Sequence, residues 1–221
     1  MSKQYWNIRY AKGIGSGPGS IGSHKEWKWN EIDSVVPERI DDILDLGCGD
    51  HTFMEGRSIS KYTGIDRSEV VINKNKELYP DKTFIVGDIS LPLELKSKFV
   101  FCMDVLIHVK REWDYYQILN NLSNCSTKWI ITYTWRRTPF KTWRYIKGFI
   151  RRREFKQVLK AFFTNLTTDG KYQYYRNLDE EIEFFRDKGF ELFHRKPTPR
   201  SINPYAVFHI FKKIESDKID Y

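Results

Sequence analysis

Hydrophobic and polar residues follow two distinct patterns along the chain. Short apolar runs predict five strands, in the segments ILDLG, KYTGID, KTFIVGD, KFVFCMDVLIHV and KWIITYTW. Apolar residues every three or four positions predict three helices, in the segments WKWNEIDSVV, EVVINKNKELYP and REWDYYQILNNLSNC. Because the predicted strands alternate with the predicted helices, the pattern favours a parallel sheet that is covered on both faces.

The alternation ends after Trp135, where the chain becomes strongly basic. Residues 136–160 contain ten Lys and Arg and one Glu, so their net charge of +9 exceeds the +8 of the whole chain. A further helix is predicted over residues 177–189, with two strands after it. Residues 12–23 are rich in glycine, which predicts a flexible loop rather than a packed element. We expect one α/β domain in four parts: an N-terminal helix with a glycine-rich lid (1–37), a core (38–135), a basic insertion (136–176), and a C-terminal helix with strands (177–221).

Composition excludes several classes of protein. The 221 residues are 40% hydrophobic and 16% aromatic, which is enough to bury a core without disulfides or metals. The three cysteines have no C-x-x-C spacing, so neither a disulfide framework nor a zinc site is indicated. The N-terminal residues MSKQYWNIRY lack the apolar stretch of a signal peptide, and no apolar run approaches the roughly 20 residues that span a bilayer. We expect a soluble, cytoplasmic protein.

Glycines and acids stand where three predicted strands end. Gly47 and Gly49 follow the first strand and allow a tight turn in which the backbone approaches a ligand closely. Asp45 lies in that strand, Asp66 ends the second strand, and Asp88 ends the third. A carboxylate at these positions can accept hydrogen bonds from ribose hydroxyls or from an adenine amino group. The linked spacing predicts a nucleoside site at the carboxyl edge of the sheet.

The segments DLGCGD, YTGIDRS, VGDIS and FCMDVLIHV resemble motifs I, post-I, II and III of the class I S-adenosylmethionine (SAM)-dependent methyltransferases. The resemblance implies a Rossmann-like α/β fold with a seven-stranded, mostly parallel sheet of order 3-2-1-4-5-7-6 and helices on both faces. It implies SAM as cofactor and S-adenosylhomocysteine (SAH) as product. One departure from the family pattern is His51, which replaces a third glycine. No metal is expected, because Arg136 and Arg137 follow the fifth strand and would repel a cation.

The same resemblance assigns cofactor-binding roles to individual residues. Asp45 and Gly47 would face the methionine part, Asp66 the ribose, and Asp88 with Ile89 the adenine; Gly49 and Met103 complete this set. The N-terminal segments YWNIRYAKG and GSGPGS resemble the opening of small methyltransferases in which a helix and a glycine loop close over the cofactor. Trp6 would then stack near the methionine end, and Arg9 would pair with its carboxylate. The alternative is a helix that Trp6 packs and in which Arg9 is solvated.

His108 is the candidate catalytic residue. It lies four residues after Asp104, at the end of the fourth strand or in the turn after it. A histidine there can accept a proton from a substrate hydroxyl at neutral pH. The alternative is a structural histidine that is hydrogen-bonded to a neighbouring helix. A phosphate-like acceptor is already ionised and would need no general base, whereas a sugar hydroxyl would need one.

The acceptor class depends on residues outside the core. We predict that Arg136, Arg137, Tyr133 and Lys28 bind the substrate and that the basic insertion recruits an anionic acceptor. Alternatives for this insertion are a solvated helix face and a surface that binds RNA or a membrane. The core and lid also resemble small methyltransferases of bacterial capsule and surface-polysaccharide pathways, which implies O-methylation of a small anionic (phosphate-like) or glycan-linked acceptor. The other functions considered are an RNA or tRNA methyltransferase and a catalytically silent SAM-fold protein that binds a partner.

Overall fold

A computed structural model describes residues 2–135, 176–203 and 205–215 of the chain. These residues form a seven-stranded sheet with the spatial order 3-2-1-4-5-7-6. The seventh strand runs antiparallel to both of its neighbours, and the other pairs are parallel. The strands are β1 (Asp42–Leu46), β2 (Lys61–Asp66), β3 (Thr83–Val86), β4 (Ser97–Met103), β5 (Ser126–Trp135), β6 (Phe190–Pro197) and β7 (Ala206–Lys213). The predicted Rossmann-like sheet is therefore confirmed.

Five α-helices accompany the sheet in the described ranges. They are α1 (Lys3–Ala11), α2 (Gly22–Val35), α3 (Glu69–Leu78), α4 (Glu112–Cys125) and α5 (Leu178–Asp187). The cap of α3 explains its start, because the Ser68 hydroxyl accepts a hydrogen bond from the Val71 N–H. The end of α5 is followed by Gly189, whose φ of +79° is the left-handed conformation that glycine supplies after a helix.

The sheet separates two apolar cores. Side chains of successive residues point to opposite faces of a strand, so in β4 Phe99 packs on one side of the sheet and Val100 on the other. Ile32 of α2 and Ile72 of α3 cover the first face, while Leu119 of α4 lies on the second. Each such buried side chain contributes roughly 1.5–3 kcal/mol to the free energy of folding. Apolar burial on both faces of the sheet explains why the parallel strands are continuous apolar runs in the amino-acid sequence.

The glycine-rich segment is more ordered than its composition predicts. Residues Pro18–Ser20 form a short 3₁₀ helix, and α2 begins at Gly22, inside the range predicted as loop. The ring of His24 bridges the carbonyl oxygens of Pro18 (2.9 Å) and Ile202 (3.0 Å), which fixes the first turn of α2 against the C-terminal part of the chain. The prediction of a loop without packed elements over residues 12–23 is wrong in this respect.

Strand β4 is shorter than its apolar run. The predicted strand extends to residue 109, but β4 ends at Met103 because Asp104 has a φ of +60°, which no strand accepts. A 3₁₀ turn over Leu106–His108 follows. His108 therefore lies in the turn after the strand, the second of the two positions considered for it. Most of the basic insertion, with Arg136 and Arg137, lies outside the described residues.

Candidate functional site

A cavity of about 650 Å³ opens where the parallel strands end. Helix α1 and the start of α4 form its other walls. Seven of the residues predicted to form the site line it, and they are Trp6, Asp45, Gly47, Asp66, Ile89, Met103 and His108. The carboxyl edge of a parallel sheet is where ligands bind in open α/β folds. The sequence prediction and the cavity therefore coincide at this edge.

The turn after β1 requires glycine at two positions. Gly47 has a φ of +89°, and a Cβ built there would overlap a methyl group of Val105. Gly49 has a φ of +53°, and a Cβ there would overlap the Ser16 hydroxyl. The N–H of Gly47 donates to the carbonyl of Ile65 at 2.8 Å, which ties the turn to β2. The absence of a side chain at both positions lets Val105 and the loop at Ser16 pack closely on this turn.

Asp66 ends β2 and is held in place by main-chain donors. The N–H of Gly49 donates to its Oδ2 at 3.2 Å, and the N–H of Ser68 donates to its Oδ1 at 2.9 Å. Burial raises the pKa of Asp66, while these two hydrogen bonds act to lower it. Each carboxylate oxygen accepts more than one hydrogen bond, so Asp66 retains capacity for donors in the cavity. The geometry suits a pair of vicinal hydroxyls.

Asp45 lies deeper in the site than Asp66. Its side chain is buried, and the Tyr62 hydroxyl donates to its Oδ2 at 3.0 Å. Burial raises the pKa of Asp45 to about 7, although the Tyr62 hydrogen bond favours the ionised form. Near neutral pH this group therefore exists in both protonation states. It can donate a hydrogen bond when protonated and accept one when ionised.

Three predicted cofactor-binding residues, Asp88, Arg9 and Gly49, do not line the cavity. Asp88 lies at its edge, where Oδ1 accepts hydrogen bonds from Arg67 (3.0 Å) and from the Ser90 N–H (3.0 Å). Its neighbour Ile89 does line the cavity. The Nε of Arg9 donates to the carbonyl of Gly15 at 2.7 Å, so its guanidinium supports the glycine-rich loop. The cofactor contacts assigned to Asp88 and Arg9 stay predictions, as does that of Gly49, which acts on the site through Asp66.

Lys28 and Tyr133, predicted to bind the substrate, are also behind the cavity wall. Lys28 is 1% exposed and donates to the Gly19 carbonyl at 2.8 Å and to the Asp104 carboxylate. The hydroxyl of Tyr133 accepts a hydrogen bond from Thr198 at 3.0 Å. Neither side chain lines the cavity itself, but Lys28 is bonded to Asp104, which does. Arg136 and Arg137 lie outside the described residues, and their predicted role is not tested.

His108 lines the cavity from the 3₁₀ turn after β4. Its ring meets the ring of Trp6 edge to face, with 5.4 Å between the centroids. Trp6 in turn stacks on Tyr10 at 5.8 Å. Since both His108 and Trp6 line the cavity, α1 forms its roof at this end. The position of His108 permits contact with a ligand, as the catalytic prediction requires.

Sequence reasoning missed several cavity residues. Tyr10 and Ser16 gave no signal, because their place depends on how α1 and the loop fold back over the sheet. Asp104 did carry a signal, since it follows β4 as Asp66 ends β2. Lys110 and Arg111 line the cavity as well, and Arg111 is paired there with Asp114, which also lines it.

Two features are absent from the described part of the chain. Across residues 2–135, 176–203 and 205–215, no group of three or more His, Cys, Asp or Glu side chains is arranged to hold a metal ion. Among the helices of the same ranges, none is both long enough and apolar enough to cross a membrane.

Comparisons with known proteins agree with this geometry. Residues 44–126 match the family model described as a methyltransferase domain. No curated protein sequence matches the chain. Magnesium protoporphyrin IX methyltransferase (ChlM) from Synechocystis PCC 6803, solved with bound SAH, is similar in structure with a TM-score of 0.68 and 18% identity, covering 96% of this chain and 97% of that one.

Two further solved structures are similar over nearly the whole chain. The N-methyltransferase NodS from Bradyrhizobium japonicum WM9, in complex with SAH, has a TM-score of 0.63 and 12% identity, covering 96% of this chain and 97% of that one. The CcbJ methyltransferase from Streptomyces caelestis has a TM-score of 0.64 and 10% identity, covering 97% of this chain and 100% of that one. The chain thus has the seven-stranded fold of these methyltransferases, and residues 44–126 match the model of a methyltransferase domain.

Proposed function

We propose that this protein is a SAM-dependent methyltransferase that releases SAH, and that SAM binds in the cavity at the ends of β1, β2 and β3. The observation that carries the proposal is Asp66. Its carboxylate ends β2, is oriented by the N–H groups of Gly49 and Ser68, and lines the cavity. That arrangement suits the two hydroxyls of a ribose. The solved structures of similar fold that contain SAM or SAH support the same choice of cofactor.

The residues of the chain fit the parts of SAM in turn. Asp66 would hold the ribose, Ile89 would pack against the adenine, and Asp45 with the open turn at Gly47 would face the methionine part. When bound, SAM supplies an activated methyl group for direct in-line displacement. The protein must therefore position the acceptor and exclude water. Trp6 and Tyr10 in the roof of the cavity are placed to exclude water.

We propose O-methylation as the reaction and a small anionic or glycan-linked molecule as the acceptor. Lys110 and Arg111 line the rim of the cavity, where Arg111 is also paired with Asp114, and residues 136–160 carry a net charge of +9 in the sequence. Arginine and lysine at a cavity rim attract phosphate or carboxylate groups. His108 lines the same cavity and would accept the proton of a hydroxyl group as the methyl group is transferred. A role in surface-polysaccharide biosynthesis would supply acceptors of this chemistry.

The proposed compartment is the cytoplasm, and the proposed unit is a single domain. Cys48, Cys102 and Cys125 are all free and buried, which is usual in a reducing compartment. Residues 1–37 would act as a lid over the core of residues 38–135. Residues 136–176 would cap the acceptor end, and the elements within residues 177–221 complete the sheet.

Calorimetry of SAH binding tests the cofactor assignment. Asp66→Ala removes the acceptor of two hydroxyl hydrogen bonds, so we expect SAH to bind more weakly by roughly 1.5–3 kcal/mol. Asp33→Ala is a suitable control, because Asp33 is paired with Arg57 on the surface. If both variants bind SAH as the unmodified protein does, the assignment of Asp66 is wrong.

Labelled methyl transfer tests the acceptor class. The panel contains phosphosugars, nucleotide sugars and RNA, with labelled SAM as donor. We expect transfer to a phosphosugar or nucleotide sugar. Transfer to RNA, together with RNA affinity that falls steeply with salt, would favour the RNA methyltransferase instead. SAH binding without transfer to any acceptor would favour a silent SAM-binding protein.

A further inference from the structure

Lys28 is a buried cation that connects the glycine-rich loop to the cavity wall. Its side chain is 1% exposed, and its ammonium group lies 3.9 Å above the ring centre of Tyr133. It donates to the Gly19 carbonyl at 2.8 Å and to Oδ2 of Asp104. Burial lowers the pKa of Lys28, and the nearby Asp104 opposes that shift. Burying an ammonium ion costs desolvation free energy, so packing alone does not explain why a lysine with these three interactions stands at this position.

Asp104 is the partner of Lys28 that reaches the cavity. Its φ of +60° is unusual for a residue other than glycine, and its N–H donates to the Tyr133 carbonyl at 2.9 Å. The side chain is 25% exposed and lines the cavity. Within the described ranges, no hydrogen bond to Oδ1 is found, whereas Lys28 binds Oδ2. Backbone strain of this kind is typical of residues that are held in place for a ligand.

Gly19 brings the loop close to the same carboxylate. A Cβ built on Gly19 would overlap Oδ2 of Asp104, so the turn over Pro18–Ser20 approaches as closely as it does only because residue 19 is glycine. The carbonyl of Gly19 then completes the coordination of the Lys28 ammonium. The position of the loop and the orientation of Asp104 are thus linked through one buried cation.

We infer that Asp104 binds a hydrogen-bond donor of the acceptor, namely a hydroxyl or an amine adjacent to the atom that is methylated. Lys28 is then the positioning residue, which orients this carboxylate and holds the Gly19 turn over the acceptor. The inference rests on the proposed function and narrows its acceptor class. A carboxylate at the acceptor end attracts O–H and N–H donors and repels an isolated phosphate oxygen. Polyols and amino sugars that carry a phosphate elsewhere satisfy both Asp104 and the cations at the rim.

Hydrogen exchange tests the fastening role without knowledge of the acceptor. Lys28→Met and Lys25→Met are compared in the full chain, with SAH present. Lys25 is a matched control on the same helix, because its ammonium also donates two hydrogen bonds, to the carbonyls of Thr52 and Glu55, but does not contact the Gly19 turn. We expect amide exchange over residues 17–21 to rise at least tenfold in Lys28→Met and less than twofold in Lys25→Met. Equal exchange in the two variants would overturn the positioning role.

Methyl-transfer kinetics test the role of Asp104. In Asp104→Asn, an amide nitrogen can take the place of the oxygen that faces the cavity, which replaces an acceptor with a donor. With the phosphosugar used best in the panel, we expect the acceptor KM to rise at least tenfold, while kcat and SAH affinity change less than threefold. Lys28→Met should also raise the acceptor KM. If Asp104 and Lys28 only stabilise the fold, the two variants would lower kcat and SAH affinity as well.

Deoxy analogues of that phosphosugar identify the hydroxyl concerned. With the analogue that lacks the hydroxyl beside the methylated oxygen, the unmodified protein should lose as much kcat/KM as Asp104→Asn loses with the complete sugar. Asp104→Asn itself should have the same kcat/KM for both sugars. If Asp104→Asn leaves kcat/KM within twofold, the inference is wrong. If SAH binds but no acceptor is methylated, the proposed function fails instead, and the exchange comparison decides the role of Lys28 by itself.

Discussion

Ser16 and Asp50 exchange three hydrogen bonds across a sequence separation of 34 residues. The N–H and the hydroxyl of Ser16 donate to the two carboxylate oxygens of Asp50, at 2.8 and 2.7 Å. The N–H of Asp50 donates to the Ser16 hydroxyl oxygen at 3.1 Å, and the Tyr10 hydroxyl lies 3.2 Å from the same atom. This pairing joins the glycine-rich loop to the turn after β1. The loop is held by a few polar contacts rather than by apolar packing.

Helix α1 is attached to the core by similar polar contacts and by Tyr10, which packs against the apolar core. None of its residues is buried, and its polar contacts with the core include Lys3 with Glu69 and Asn7 with Ser68. Elements with little apolar burial open at low cost in free energy. The segment from α1 to the start of α2 is therefore suited to admit a ligand and then to cover it.

We predict that residues 12–23 exchange amide hydrogens rapidly in the free protein and slowly when SAH and an acceptor are bound. Ser16→Ala removes the hydroxyl at the centre of the pairing, so we expect faster exchange in this segment both with and without ligand. Ser34→Ala is the control, because its hydroxyl caps a carbonyl at the end of α2 and does not contact the loop. Equally fast exchange in the free and bound states would contradict the lid.

The strand-end acids were predictable from the sequence, and the contacts that complete the site were not. Asp45 and Asp66 stand at fixed offsets from apolar runs, and the parallel sheet carries both to one edge. The pairs Ser16–Asp50 and Lys28–Asp104 join residues 34 and 76 positions apart. No local pattern encodes such contacts, because they depend on the path of the loop over the finished sheet.

His51 illustrates how a departure from a motif can leave the backbone unchanged. It stands where a third glycine is frequent, yet its φ is +62°, in the left-handed region that glycine favours. Its ring is buried against Tyr62 and Tyr79, with centroid distances of 4.5 and 4.6 Å. Aromatic packing of this kind offsets the backbone cost of about 1–2 kcal/mol. Sequence alone identified the departure but not its compensation.

We predict that Asp45 makes the free protein less stable as pH rises. The folded-state pKa of Asp45 is about 7, well above its ordinary value of 3.8, so the folded state holds a proton that the unfolded state loses. The contribution of Asp45 to the free energy of unfolding therefore falls between about pH 4 and pH 7 and levels off above that range. Asp45→Asn should remove this loss and be more stable than the unmodified protein at pH 8, by at most about 4 kcal/mol.

Urea unfolding of both proteins between pH 5 and pH 8 measures this difference. The comparison is needed because His51 has the opposite effect: burial lowers its pKa to about 4, so its contribution to stability is lost as pH falls from about 6.5 to 4. The variant retains His51, so the difference between the two proteins isolates Asp45. A difference that does not change between pH 5 and pH 8 would show that Asp45 is ionised throughout.

We predict that Gly47→Ala loses both stability and SAH affinity. An alanine there has a strained φ of +89° and overlaps Val105. Gly56→Ala is the matched control, because Gly56 has a similar φ of +81° but no atom within 4 Å of the added Cβ. Both variants should lose about 1 kcal/mol of unfolding free energy from backbone strain. Gly47→Ala should lose more unfolding free energy than that and bind SAH at least tenfold more weakly, as measured by calorimetry. Equal effects in the two variants would rule out a close approach of SAH to the backbone at Gly47.

The last prediction separates the proton acceptor from the anion-binding residues. If the methylated atom is a hydroxyl oxygen, His108→Ala should reduce turnover by roughly 10²–10⁴-fold, because a positioned base is lost. If it is a phosphate-like oxygen, which is already ionised, the same variant should lose little. In either case Arg136→Glu and Arg137→Glu should raise the acceptor KM strongly and leave SAH affinity unchanged, since charge reversal repels an anion. Steady-state kinetics with the acceptor from the labelled-methyl panel, and calorimetry with SAH, measure both effects. An unchanged KM and turnover in the Arg136 and Arg137 variants would mean that these residues belong to a solvated basic face, and the anionic acceptor would then have to be recognised by Lys110 and Arg111 at the cavity rim.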